Sequence, residues 1–162
     1  MKIAGRCIIA VVIILGIIFS YFYAFGNFHA VVEERVYRSA QLSEKKLQKI
    51  IAKKKLKTII NLRGENEGKN WYAMEKKVAE DNDIQHYSFR FVAHRLPNCI
   101  QLDALIEALK AAPRPLLIHC KGGADRTGLA SALALAIEKD SPLSKLKQQF
   151  SLIYGVIPFT GS

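Results

Sequence analysis

A chain of 162 residues with 24 Lys and Arg against 14 Asp and Glu, formal net charge +10, has room for one domain plus an extension. Its three cysteines, Cys7, Cys99 and Cys120, form no CxxC pair and no metal-ligand spacing, which argues against redox-motif and zinc-binding classes. The basic excess carries no aromatic–basic interleaving and no DNA-binding motif, so nucleic acid is not an expected partner.

The hydrophobic half of the sequence is unevenly spread. Cys7 to Phe28 carries no charge, and Ile8 to Phe25 is almost wholly aliphatic or aromatic. A bilayer span needs about 20 apolar residues, whereas a cleavable signal has an apolar core of roughly 7–15. Residues 1–26 therefore read as an N-terminal transmembrane helix, a membrane anchor or uncleaved signal, although Ala24-Phe25-Gly26 has the small-x-small pattern of a cleavage site. Cys7 follows Arg6 and lacks the small residue of a lipidation site. Lys2 and Arg6 precede the span and no Lys or Arg follows it until Arg35. The positive-inside bias puts the N-terminus in the cytoplasm and the domain beyond the membrane. In a chain of bacterial style, that is a single-pass inner-membrane protein facing the periplasm. Residues 27–34 read as a linker and 35–162 as the folded domain.

Within that domain, Val36 to Leu42 is extended and enters a turn. Ser43 suits an N-cap, and Glu44 to Lys54 carries Leu47, Ile50 and Ile51 at helical spacing. Lys45, Lys46, Lys49, Lys53, Lys54, Lys55 and Lys57 cluster there; such a run reads first as a solvated helix face, and it also suits steering of anions or contact with anionic headgroups. Thr58 to Leu62 is a buried strand and Trp71 to Asn82 a helix. Ile84 to Val92 alternates loosely as a strand, Ile100 to Ala111 is an amphipathic helix, and Leu116 to His119 is a strand. Helices over Leu129 to Glu138 and Leu143 to Tyr154 complete the chain. Strands alternating with helices predict an α/β domain with a central, mostly parallel sheet flanked by helices.

The stretch LLIHCKGGADRTGLA, Leu116 to Ala130, carries the chemistry. An apolar strand ends at His119-Cys120, a glycine-rich turn follows, and a helix begins. Lys121, Gly122, Gly123, Ala124, Asp125 and Arg126 can curl successive N–H groups toward one anion, which the helix dipole also attracts. Arg126 can return a planar two-pronged donor to the same oxyanion. A cysteine at the mouth of such a cradle is favoured as the thiolate nucleophile. Thr127 can donate its hydroxyl to that sulfur, and His119 can orient the loop from behind.

Cys-x5-Arg-Thr in this setting resembles the signature of the cysteine-dependent protein tyrosine and dual-specificity phosphatases. VYRSAQL, TIINLRGE and HCKGGADRTGL together are most similar to the bacterial periplasmic TpbA-like branch, with Siw14-like phosphatases sharing the layout. The resemblance covers about residues 35–155. It implies a small dual-specificity phosphatase fold with no metal or other cofactor, Cys120 as nucleophile and Arg126 as phosphate-binding residue. Tyr37, Arg38 and Arg63 are expected to brace the loop.

A general acid must protonate the leaving oxygen. Many relatives place an Asp on the loop that is Phe91 to Asn98 here, and this stretch has none. Asp125 is the first choice, with His94 and Asp103 as alternatives. Two substrate classes stay open, a phosphorylated protein and a phospholipid, phosphoinositide or other small phosphorylated headgroup. An inactive phosphate-binding module is the third reading. The absence of heptads or an apolar surface strand predicts a monomeric catalytic domain. Cys99 is the one candidate disulfide partner for Cys120 beyond the apolar segment, without any sign of proximity in the spacing.

Overall fold

A computed structural model describes residues 26–93 and 95–156, together with Gly16. Five strands, β1 (His29–Val32), β2 (Val36–Ser39), β3 (Thr58–Asn61), β4 (Gln85–Ser88) and β5 (Leu116–His119), form one sheet in the order β1-β2-β5-β3-β4. The pairs β2–β5, β5–β3 and β3–β4 are parallel and only β1–β2 is antiparallel. Parallel neighbours need long crossovers, which the helices α1 (Glu44–Lys54), α2 (Asn70–Asp81) and α3 (Cys99–Ala111) supply, while α4 (Asp125–Lys139) follows the last strand. A short α5 (Leu143–Gln148) and a 3-10 turn (Leu152–Tyr154) follow. The expected α/β architecture with a mostly parallel sheet is what the chain adopts.

The strands' two-residue period sorts the core into two layers. Tyr37, Ile59 and Leu117 face α1 and α2, packing with Leu47, Ile51, Val78 and Ala79. Val36, Ile60, Leu116 and Ile118 face the other way and pack with Leu105, Leu109, Ala130 and Ala134 of α3 and α4. Burial on both faces explains why β3 and β5 read as continuous apolar runs rather than alternating ones. Because β5 is central, its C-terminal end, where Cys120 sits, is surrounded by the ends of its neighbours.

Several boundaries differ from the sequence reading. His29 to Val32, inside the stretch read as a linker, forms β1, closing the sheet edge through a hairpin with Glu34 at φ 61°. A register shift between Ala30 and Val32 blurs the alternation that would have announced it. The strand expected over 84–92 is regular only for Gln85–Ser88, beyond which Arg90 makes an isolated bridge to Arg63. The helix expected from Leu129 starts four residues earlier, at Asp125. The last helix, expected over 143–154, divides in two. Between its parts Gln149 is buried and accepts hydrogen bonds from Arg38, a demand that a continuous solvent-facing helix does not meet. Asn98 caps α3 through a capping box with Gln101, which leaves Asp103 no capping role.

The apolar run 8–25, read as a transmembrane helix, lies outside the described residues apart from Gly16. Among the described residues no helix is long and apolar enough to cross a membrane.

Candidate active site

Cys120 follows the last residue of β5 and is buried, with its sulfur accepting the Gly123 N–H at 3.3 Å. The turn that returns this amide to the sulfur requires φ +71° at Gly123. A Cβ there would lie 2.6 Å from Ala40 N and 2.7 Å from Ser39 O, so only glycine lets the cradle rest against the end of β2.

The cradle is held from outside by its carbonyls. Asn27 Nδ2 donates to Gly122 O at 3.1 Å and Gly123 O at 3.3 Å. Arg38 Nη2 donates to Gly123 O at 2.9 Å and to Ala124 O at 3.4 Å, and the Gln41 N–H donates to Lys121 O at 3.1 Å. A peptide's N–H points opposite to its carbonyl, so carbonyls bound at the back turn amides toward the front. The N-terminus of α4 adds the partial positive charge of its dipole at the same place. Its N-cap, Ala124, has no side-chain cap that would compete with an anion.

Arg38 is fully buried, and burial pushes its guanidinium down to about 10, with Tyr154 and Cys120 partly offsetting that effect. Its second amino group bonds the backbone and side-chain oxygens of Gln149 at 2.8 and 2.9 Å, and the ring of Tyr154 lies 3.8 Å away. The expected bracing role of Arg38 matches these contacts. Tyr37, also buried, braces β2 by stacking on Phe28 and by receiving the Glu34 N–H. Arg63 donates to Gln41 Oε1 at 2.9 Å and lies over Trp71 at 3.6 Å. Burial first, and then repulsion from Arg126, lowers its pKa, which records two guanidinium groups near one another.

Behind the cradle is a buried polar network that the sequence did not announce. His119 Nε2 lies 3.1 Å from Glu75 Oε1, and His119 Nδ1 lies 3.3 Å from Cys120 O. His86 Nε2 reaches the same Glu75 oxygen at 3.0 Å, and Gln41 Nε2 donates to the other at 2.6 Å. Burial raises the Glu75 carboxyl, but the charge interaction with His119 and the hydrogen bonds from His119, His86 and Gln41 outweigh it and hold the group well below the usual carboxylate range. A run of hydrogen bonds thus joins His119, Glu75, Gln41 and Arg63. Asn27, Gln41, Glu75 and His86 are the contributors missed at the sequence level; a Glu within the inward stripe of α2, beside Tyr72 and Val78, was the one available signal.

The expected catalytic residues separate as follows. Arg126 donates from Nη1 to Leu62 O at 3.3 Å and Phe91 O at 3.1 Å, so its planar group is tied to the strand ends. Asp125 is exposed in the first turn of α4. Both line a cavity of about 310 Å³ whose other walls include Phe91, Val92, Leu96 and Phe150. Cys120 is not part of that lining. Asp103 is exposed on α3 and does not line the cavity, so the geometry does not bring it to the site. His94 lies outside the described residues. Lys121 is exposed beside the cradle mouth. Thr127 is buried, but its Oγ1 has no partner among the described residues, and the expected hydroxyl-to-sulfur bond is not formed. The sulfur takes the Gly123 amide instead. Cys99 and Cys120 are both free thiols. Among the described residues no group of His, Cys, Asp or Glu is arranged to hold a metal ion.

No curated protein matches the chain in sequence. Solved structures share its fold. The core catalytic domain of the PP-IP phosphatase Siw14 from S. cerevisiae, in complex with citrate, is 25% identical with TM-score 0.63, over 80% of this chain and 76% of that one. A cysteine-to-serine variant of P. aeruginosa TpbA, in complex with pTyr, is 20% identical with TM-score 0.63, over 80% and 75% of the two chains. Residues 23–139 match the family model described as the tyrosine phosphatase family, and the match includes the whole cradle and every strand that supports it. By that match over most of its length, this protein belongs to the tyrosine phosphatase family and is a hydrolase.

Proposed function

We propose that the protein hydrolyses phosphomonoesters through a phosphocysteine on Cys120, as a protein tyrosine and dual-specificity phosphatase. The observation that carries this reading is the outward anchoring of the cradle carbonyls, which leaves amide donors facing a buried sulfur. The Cys120 thiolate attacks phosphorus, the bond to the leaving oxygen breaks, and Asp125 gives that oxygen a proton. The Asp125 carboxylate then takes a proton from water as the water attacks phosphocysteine. Inorganic phosphate leaves and the thiolate is restored. Cradle amides and the Arg126 guanidinium offset the charge on the phosphoryl oxygens in both steps. Asp125 is favoured as the acid because it lines the cavity where a leaving group would lie, and Asp103 does not.

The apolar walls of that cavity, Phe91, Val92, Leu96 and Phe150, suit an aromatic leaving group, and the TpbA structure with pTyr supports the same class. A second reading, a lipid or polyphosphorylated headgroup, is supported by the proximity of Arg63 and Arg126, by the exposed Lys121, and by the likeness to a PP-IP phosphatase. In either case the uncharged run 8–25, with Lys2 and Arg6 before it, supports a domain tethered to the periplasmic face of the inner membrane.

The test is hydrolysis of an aryl phosphate by the detergent-solubilised full chain in reductant, with and without chelator. Chelator-insensitive turnover, lost in Cys120→Ser and lowered about 10²–10⁴-fold in Asp125→Asn, is expected. Unchanged turnover in Cys120→Ser would sink the phosphocysteine route and return the loop to a phosphate-binding role.

A further inference from the structure

The first described residues of the domain are fastened to the phosphate cradle itself. Asn27 Nδ2 bonds Gly122 O, Gly123 O and, at 2.9 Å, Tyr154 O, while Gly26 O accepts the Ala40 N–H at 2.8 Å. The apolar run ending at Phe25 directly precedes Gly26. The two residues that immediately follow that run in the chain are thus held at the cradle and at the end of β2.

Tyr154 belongs to the 3-10 turn, whose Leu152 and Ile153 are 66% and 68% exposed. The same C-terminal segment exposes Leu143 and Phe150, and Phe150 also lines the cavity beside Arg126. Exposed Lys145 and Lys147 lie between them in the chain. Single exposed apolar residues are ordinary, but here they crowd one short segment that touches the corner where the apolar run enters. Apolar side chains that can enter the headgroup boundary, mixed with lysines, make a surface for an anionic bilayer. The lysine-rich α1 is not part of it, since α1 packs on the opposite face of the sheet.

We infer that the segment 143–154, with the Gly26–Asn27 corner, docks on the anionic surface of the bilayer that takes residues 8–25 and holds the cradle mouth at headgroup level. Phosphoesters carried at that surface then meet Cys120 at a higher effective concentration than dissolved ones. The inference rests on the reading of residues 8–25 as an anchor and not on the chemistry at Cys120.

The experiment uses the full chain reconstituted in phosphatidylethanolamine–phosphatidylglycerol vesicles, with the photoreactive residue p-benzoylphenylalanine replacing Ile153 or, as control, Ala52. Both sites are exposed, and Ala52 lies on α1. On illumination, position 153 is expected to give about tenfold more lipid adduct than position 52, falling when phosphatidylcholine replaces phosphatidylglycerol. Equal adduct at the two positions, in a chain that resists carbonate extraction, overturns the docking face while leaving the anchor standing. Extraction by carbonate overturns the anchor and the docking face together. An adduct yield indifferent to lipid charge overturns the anionic partner.

Discussion

Glu75 and His119, 44 residues apart in the chain, meet through a 3.1 Å hydrogen bond behind the cradle. His119 in turn contacts the Cys120 carbonyl, so the carboxylate helps to orient the start of the cradle. The folded pKa of Glu75 lies below its ordinary 4.5, because its interactions with His119, His86 and Gln41 outweigh the effect of burial. A depressed carboxyl contributes stability that is fully present above its unfolded value and is lost as pH falls through the folded one. Glu75→Gln is expected to lower stability at pH 7 by about 1–3 kcal/mol, since a buried acceptor facing three donors is replaced. It should also flatten the acid side of the stability curve below pH 4.5. Urea unfolding at a series of pH values measures both, and an unchanged acid side would assign that sensitivity to other carboxylates.

Two adjacent glycines of the cradle should respond unequally to the same change. Gly123 has φ +71° and no room for a Cβ, whereas a Cβ on Gly122 would meet nothing within 4 Å. Gly123→Ala is expected to cost about 2–4 kcal/mol from strain and overpacking and to displace the amide beside the sulfur. Gly122→Ala should stay within about 0.5 kcal/mol of the parent. Thermal unfolding of the pair checks this, and a loss at Gly123 as small as that at Gly122 would show that the loop accommodates a side chain at both sites.

Arg126 is tied by Nη1 to Leu62 O and Phe91 O, which fixes the plane of its guanidinium. Lysine keeps the charge but cannot hold two carbonyls and also present a planar donor pair to an oxyanion. Arg126→Lys should lower kcat/KM for an aryl phosphate about 10²–10³-fold, with unfolding free energy changed by no more than about 1 kcal/mol. Activity close to the parent would remove Arg126 from the phosphate clamp.

What the sequence by itself determined is what carries a clear local period or turn pattern along the chain. The apolar runs of β3 and β5, the Leu47–Ile51 stripe of α1 and the whole cradle from Cys120 to Arg126 were legible, because strand and helix periods and a glycine-rich turn are local patterns. The family resemblance rests on the same contiguous motifs.

Tertiary structure alone decided what supports the cradle. Asn27 stood in a stretch read as a linker, yet it bonds Gly122 and Gly123, and its bond to Tyr154 closes a separation of 127 residues. Glu75 comes to His119 from α2 only because β3 and β5 are neighbours and α2 packs across the face they share. The path of the C-terminal segment, which places Gln149 against Arg38 and Phe150 on the cavity, is likewise set by packing on α4. Bonds between a side chain and a distant backbone depend on how the crossovers close. They impose no period on the residues that make them, and so they become visible only once the sheet has brought those segments together.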